Sequence, residues 1–323
     1  MTARNSRLGV RYTGPEIEGI KSFANVEFDF YGKHTNPTPE TQETQSGVRL
    51  RHAYARFDFG EEWSLLAGQT SDVVAPNDMA KFNTMLGWGQ GNIAFRRPQL
   101  RLTHTLLVDE GAKLPIAFAL ARPTGRDADG LGDDDGEDGA IPDLQGRAGI
   151  ELPGPAKDPW KIGVSGLYAW REVDAKTTAP TIQADRYNPW VLCLDFDLPI
   201  LPELRLAGEA WLGQGLDAYR GGIFQGYNTT QHSAVSARGG YANLIWEAAK
   251  EWRFVLGAGV DDPDKDDLGG TARIQNNTIW ANAMYRFTKG AWAGLEVDRM
   301  ETDYANRDDR VNWRVQSSIM LRF

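Results

Sequence analysis

Apolar and polar residues alternate over the last positions of the chain. Val311, Trp313, Val315, Ser317, Ile319, Leu321 and Phe323 share one phase, and Asn312, Arg314, Gln316, Ser318, Met320 and Arg322 share the other. Successive residues of a strand point to opposite faces, so a period of two predicts a strand with one greasy and one polar side. The same alternation sets Trp190, Leu192, Leu194, Phe196 and Leu198 against Cys193, Asp195 and Asp197. It also sets Trp252, Phe254, Leu256, Ala258 and Val260 against Arg253 and Asp261. No helical period of useful length competes with it. The pattern predicts roughly fifteen strands of about ten residues, the length a tilted strand needs to cross a bilayer. They fall near 5–13, 20–32, 48–59, 63–74, 95–108, 113–123, 145–153, 160–174, 188–200, 204–214, 232–247, 252–262, 277–288, 292–305 and 311–323.

Short and long connections take turns between these strands. The short ones carry turn chemistry: Gly14-Pro15-Glu16, Gly60-Glu61-Glu62, Glu110-Gly111-Ala112, Gly154-Pro155-Ala156, Leu201-Pro202-Glu203, Ala249-Lys250 and Lys289-Gly290. The long ones run near 33–47, 75–94, 124–144, 175–187, 215–231 and 263–276, with a shorter one near 306–310. Short turns at one rim and long loops at the other predict an all-β fold, a transmembrane antiparallel up-and-down β-barrel occupying 1–323 as a single domain. If the last strand and the short turns end in the periplasm, the strand near 5–13 runs inward from the outer face. An even, closed barrel then calls for one more strand ahead of it, about sixteen in all, together with an export signal upstream.

Composition narrows the function. No apolar run approaches the roughly 20 residues of a spanning helix, and the mean hydropathy of −0.46 suits a barrel whose alternate residues face a wet lumen. The net charge of −9, with basic residues scattered singly, disfavours nucleic acid as a partner. One cysteine, Cys193, excludes an intramolecular disulfide, and four histidines without ligand spacing argue against zinc. Met1 to Arg7 has no apolar stretch and is not a signal peptide.

Several stretches resemble the DcaP-like group of trimeric outer-membrane porins. They are Ser6-Arg7-Leu8-Gly9 followed by Gly14-Pro15-Glu16, Val26-Glu27-Phe28-Asp29-Phe30, Leu50-Arg51-His52-Ala53-Tyr54, Leu66-Ala67-Gly68-Gln69-Thr70 and Arg96-Arg97-Pro98-Gln99-Leu100-Arg101, with a terminal Phe323. The likeness is clear over residues 5–107 and weaker beyond, apart from the last strand. It implies a homotrimer of 16-stranded barrels in the bacterial outer membrane, in contact with its lipid, and diffusion of small and often anionic solutes. It also implies that Phe323 is the assembly signal read by the barrel-insertion machinery, and that a first strand precedes Ser6.

Candidate pore-lining arginines recur on the polar faces: Arg7, Arg11, Arg97, Arg101, Arg147, Arg205, Arg253, Arg286 and Arg314. Acids share those faces at Glu27, Asp29, Asp195, Asp197, Glu209, Glu296 and Asp298. Rings of charge in a pore orient dipolar solutes, and arginine holds carboxylates bidentately; charges that pair with one another only solvate a wide pore. The loop near 124–144 holds Asp127, Asp129, Asp133, Asp134, Asp135, Glu137 and Asp138. It is open to three readings: a constriction folded into the barrel, a calcium loop without EF-hand spacing, or a solvated acidic surface. Asp261, Asp262, Asp264, Asp266 and Asp267 form a second acidic loop, for which the solvated reading is stronger. Loop 75–94 carries Met79, Phe82, Met85, Leu86 and Trp88, too apolar for free solution, so it packs in its own barrel or on a neighbouring one. On the strand near 48–59 the apolar phase of Ala53, Ala55, Phe57 and Phe59 also carries Arg49 and Arg51. A bulge between Arg51 and Ala53 would return both arginines to the lumen, and a subunit interface would instead bury them.

No nucleophile, base and orienting group come together in the sequence, and His104 falls on an outward phase between Leu102 and Leu106. The expectation is therefore a non-enzymatic porin without a cofactor, calcium on the acidic loops aside, passing small polar, anionic or zwitterionic solutes. The alternative is a scaffolding outer-membrane barrel with acidic surface loops. A sheath for an electron-transfer protein needs a wider lumen, and a soluble propeller needs a blade repeat that is absent.

Overall fold

The computed structural model describes residues 2–32, 47–82, 87–108, 111–125, 140–156, 158–177 and 182–323. Fifteen strands form one antiparallel sheet in which each pairs with its neighbours in the chain. The first half contributes β1 (Leu8–Thr13), β2 (Ile20–Gly32), β3 (Gly47–Phe59), β4 (Trp63–Ser71), β5 (Arg96–Leu107), β6 (Lys113–Ala121), β7 (Asp143–Leu152) and β8 (Trp160–Tyr168). A small hairpin, β9 (Arg171–Val173) with β10 (Asp185–Tyr187), interrupts the order. The sheet resumes with β11 (Trp190–Leu201) and β12 (Leu204–Gln214). After a second small hairpin, β13 (Tyr227–Asn228) with β14 (Ser233–Ala234), come β15 (Ser236–Trp246), β16 (Trp252–Pro263), β17 (Arg273–Thr288), β18 (Ala291–Tyr304) and β19 (Arg310–Leu321). β1 and β19 are the edge strands among the described residues. All fifteen predicted strands correspond to members of the sheet. The strand expected near 160–174 stops at Tyr168, because the chain turns there into the β9–β10 hairpin, whose two-strand pairing leaves no long alternation to read.

Alternation puts apolar residues on the outer face. On β11 Leu192 and Leu194 are exposed outward while Val191, Cys193 and Asp195 are buried inward. At the short-turn rim the outward residues are aromatic. Trp246, Phe254, Trp252, Tyr285 and Phe287 form a run of ring contacts across β15, β16 and β17, and Trp63 stacks on His104 at 4.0 Å. Amphipathic rings at the edge of an apolar band form the girdle of a transmembrane barrel.

The register of β2 with β3 settles the anomalous arginines. Glu27 faces His52 and the next residue, Phe28, faces Leu50, so Arg51 is an extra residue, a β-bulge. Below it Ala53, Ala55, Phe57 and Phe59 keep the outward phase, and above it Arg49 faces Asp29 on the inner side.

The core of the molecule lies inside the wall. Val74, Ala75, Ile93 and Ala94 from loop 72–95 pack with Leu216 and Tyr219 from loop 215–226 against Leu167, Val191, Cys193 and Trp211 of the wall. Met79 packs with Tyr241, Ile245, Val255 and Trp280. Of the two homes open to the apolar loop, the structure selects its own barrel; Met85 and Leu86 lie outside the described residues.

Candidate functional site: a lumenal constriction

The described residues of loop 72–95, 72–82 and 87–95, enter the barrel after β4 and lie along its inner wall. An inward loop removes its N–H groups from bulk water, and each then needs an acceptor. The inner face supplies them strand by strand. Val73 N–H donates to Gln145 Oε1 on β7 at 2.8 Å, Ala75 N–H to Ser165 Oγ on β8 at 3.3 Å, and Asn77 N–H to Glu209 Oε1 on β12 at 2.7 Å. Ala80 N–H donates to Asn243 Oδ1 on β15 at 3.0 Å and Phe82 N–H to Glu296 Oε2 on β18 at 2.6 Å. Glycine lets the backbones meet: a Cβ on Gly259 of β16 would lie 2.4 Å from the Gln90 carbonyl oxygen. The far anchor is Lys81, whose Nζ donates to Asp298 Oδ2 at 2.6 Å and Gln90 Oε1 at 2.8 Å beside the Trp280 ring. Burial pushes the Lys81 ammonium below its ordinary range, against the pull of Asp298 and Glu296.

A closed polar cluster ties the near end of this loop to the wall and to loop 215–226. Arg97 on β5 lies 2.9 Å from Asp72 and 3.2 Å from Asp143, with its guanidinium 3.8 Å over the Tyr219 ring. Arg171 holds both oxygens of Asp143 at 2.8 Å, and the Tyr219 hydroxyl donates to the same carboxylate at 2.6 Å. Burial pushes the Tyr219 hydroxyl up, so it stays a donor.

The two loops fill the side of the lumen bounded by β7, β8, β11, β12, β15, β16, β17 and β18. The inner faces of β1 to β3 contribute no residue to these core clusters, and this wall, which borders the rest of the lumen, is rich in arginine. Arg49 grips Asp29 with two bonds of 2.9 and 2.6 Å, and Arg51 bridges Glu27 at 2.6 Å and Asp29 at 3.1 Å. Arg7 and Arg11 are exposed, Arg96 is half-buried, and none of the three has an ion-pair partner among the described residues. Opposite stands Asp78 on the inward loop: it is exposed, without a hydrogen bond among the described residues, and within the field of Arg96, Arg7 and Arg51. Enclosure pushes its carboxyl above the usual carboxylate range despite these arginines. The result is a transverse field between this wall and the inward loop, with more cations on the wall than acids around it among the described residues.

The expected pore residues divide into three groups. Arg7 and Arg11 lie on the arginine-rich wall. Arg97 is only 2% exposed and sealed in its cluster, beyond reach of a solute. The others are engaged: Arg101 with Gln99 and the Ser71 carbonyl, Arg147 with both oxygens of Asp195 at 2.9 and 2.6 Å, and Arg205 with Asp197 at 3.0 Å. Arg253 lies 3.5 Å from Glu247, Arg286 donates to the Lys250 carbonyl at 3.0 Å, and Arg314 lies 3.1 Å from Asp298. Asp127, Asp129, Asp133, Asp134, Asp135, Glu137 and Asp138 lie outside the described residues. Of the second acidic group, Asp261 and Asp262 belong to β16, and Asp261 is buried on its inner face, so the solvated-loop reading fails there. Phe323 follows the end of β19 and is fully exposed. Asp78, Lys81, Arg96 and Arg49 were not singled out as site residues. The apolar content of loop 72–95 and the phase conflict on β3 are the signals that could have found Asp78, Lys81 and Arg49.

No family model matches the sequence, and no curated protein does. Solved structures do. The outer membrane channel DcaP of Acinetobacter baumannii superposes with a TM-score of 0.74 at 19% identity, over 99% of this chain and 84% of that one. An anion-selective porin from Comamonas acidovorans gives 0.61 at 11% identity over 99% and 89%. The trimer form of OmpT, an outer membrane protein of Vibrio cholerae, gives 0.57 at 9% identity over 97% and 90%. The chain thus has the fold of the outer-membrane porin barrels.

Proposed function

We propose that the chain is a passive diffusion channel of the outer membrane that favours small anionic or zwitterionic solutes and works as a homotrimer. The observation that carries this is the asymmetry of the lumen: Arg7, Arg11 and Arg96, without an ion-pair partner among the described residues, stand beside Arg49 and Arg51 on one wall, within the field of Asp78 on the inward loop. A guanidinium with free N–H groups donates two bonds to a carboxylate, and a site exposed on its other side lets the solute leave, which passage requires. The likeness to an anion-selective porin and to a trimeric outer membrane protein supports the same reading. Catalysis is not part of it. His52 Nδ1 lies 3.0 Å from Thr70 Oγ1, but among the described residues no carboxylate hydrogen-bonds to that ring to orient it as a base.

The test is conductance of the purified protein in planar bilayers, with selectivity read from the reversal potential under a salt gradient. Anion preference that weakens in Arg7→Ala and Arg96→Ala is the expected result. Cation preference of the wild type overturns the selectivity, and an absence of conductance in correctly folded protein overturns the channel.

A further inference from the structure

Asp78 stands apart from cations that attract it. Its carboxylate makes no hydrogen bond or ion pair among the described residues, although Arg96, Arg7 and Arg51 lie within its field. Arg7 and Arg96 have no ion-pair partner among the described residues either, and a guanidinium fork fits a carboxylate in two bonds. An exposed acid free to move would close onto one of them, so a restraint holds it off.

The restraint sits one residue earlier. Asn77 N–H donates to Glu209 Oε1 on β12 at 2.7 Å, and Asn77 Nδ2 donates to the carbonyl oxygens of Phe196 on β11 at 3.1 Å and Gly208 on β12 at 3.2 Å. Phe196 and Gly208 face each other in the register of the two strands, so one side-chain amide spans the seam between them. Glu209 is 2% exposed, beyond a solute's reach. The backbone around Asn77 is stiff as well. Ala75 has a φ of 50°, which a residue with a Cβ keeps only where its surroundings enforce it, and the ring of Pro76 fixes the next φ. On the other side Met79 is buried with Tyr241, Ile245, Val255 and Trp280. Consecutive Cα atoms lie about 3.8 Å apart, so a pinned Asn77 and a buried Met79 leave Asp78 little beyond its own side-chain torsions.

We propose that Asn77, mounted on Glu209 and on the β11–β12 seam, is a positioning residue that holds the Asp78 carboxylate away from the arginine wall. Held in this way, the loop and the wall keep opposite charges, and the guanidiniums of Arg7 and Arg96 stay free for a solute. Once released, Asp78 pairs with one of them and cancels it. Asn77 and Glu209 thus set selectivity without touching what passes.

The experiment reads the reversal potential of the purified protein in planar bilayers under a salt gradient. The variants are Asn77→Leu, Glu209→Leu and Glu209→Gln, each alone and combined with Asp78→Asn. Asn77→Leu removes the two side-chain bonds and Glu209→Leu the backbone one, while the anchors at Asp72 and Lys81 still hold the loop in the barrel. Both leucine variants lose at least about half of the anion preference, and adding Asp78→Asn restores it to the level of Asp78→Asn alone, the non-additivity of residues that act through one another. Glu209→Gln keeps an acceptor for the Asn77 N–H and keeps the wild-type preference. An unchanged preference in both leucine variants overturns the proposal. A loss that persists with Asp78→Asn also overturns it, because the defect is then a general loosening of the loop. So does a loss in Glu209→Gln as large as in Glu209→Leu, which makes the charge of Glu209 the cause and not its bond to Asn77. The proposal rests on the anion-selective reading of the channel: a wild type without anion preference overturns both, and leucine variants that keep the preference of an anion-selective wild type overturn this one alone.

Discussion

Arg51 carries an unusual share of the wall's order, because one guanidinium satisfies two carboxylates on the neighbouring strand. Arg51→Ala leaves Glu27 without a cation and is expected to cost about 3 kcal/mol or more, seen as a lower unfolding midpoint together with reduced anion preference. Arg7→Ala, by contrast, removes an exposed charge that has no ion-pair partner among the described residues, so selectivity falls while the midpoint holds. Asp78 brings pH dependence. Its carboxyl is raised above the ordinary 3.8, so the folded loop favours the protonated form. That contribution to stability is present at acid pH and is lost as pH rises from 3.8 through the raised value. Acidification through the same window removes the negative charge of Asp78 from the field of Arg96, Arg7 and Arg51. Anion preference in the reversal potential should therefore rise as pH falls, and Asp78→Asn should show the raised preference at neutral pH without the pH step. A preference that is flat with pH in the wild type rules this out.

The inward loop is held at two ends by different means, a closed cluster around Asp72, Arg97 and Asp143 and a single buried cation at Lys81. Lys81→Met should free the far end only. Asp298 keeps Arg314 at 3.1 Å and Thr278 at 3.0 Å, so the wall survives. The cost is on the order of 3 kcal/mol, and the readout is larger, noisier single-channel conductance; an unchanged current would show that loop 72–95 does not narrow the pore. How much of this was legible differs by residue. The loop's apolar excess at Met79, Phe82 and Trp88 announced a buried home. Its path could not be read, because Gln145, Ser165, Glu209, Asn243 and Glu296 are far apart in sequence and look like ordinary lumenal residues. Only the pairing of the strands into one sheet, with the loop laid across its inner face, sets them in a row.

At the scale of the whole molecule, a trimer of independent passages predicts conductance lost in three equal steps under high voltage, and a particle of about three times the 35.8 kDa chain mass by light scattering corrected for detergent. One step only, from a particle of chain mass, would reject the trimer. The barrel itself was written in the sequence. A period of two needs only local residues to be recognised, and so does the alternation of Gly14-Pro15-type turns with long loops; together they set the fifteen strands of the sheet and its greasy outer face. Arginines on the inner face were equally legible as a class. Which of them meets a solute was not, because Arg97 and Arg7 share the same phase and differ only in what the folded loops bring to them: Asp72, Asp143 and Tyr219 enclose the first and leave the second open. Periodicity fixes the face a side chain occupies, whereas its partners come from segments tens to hundreds of residues away, and only the tertiary structure decides those.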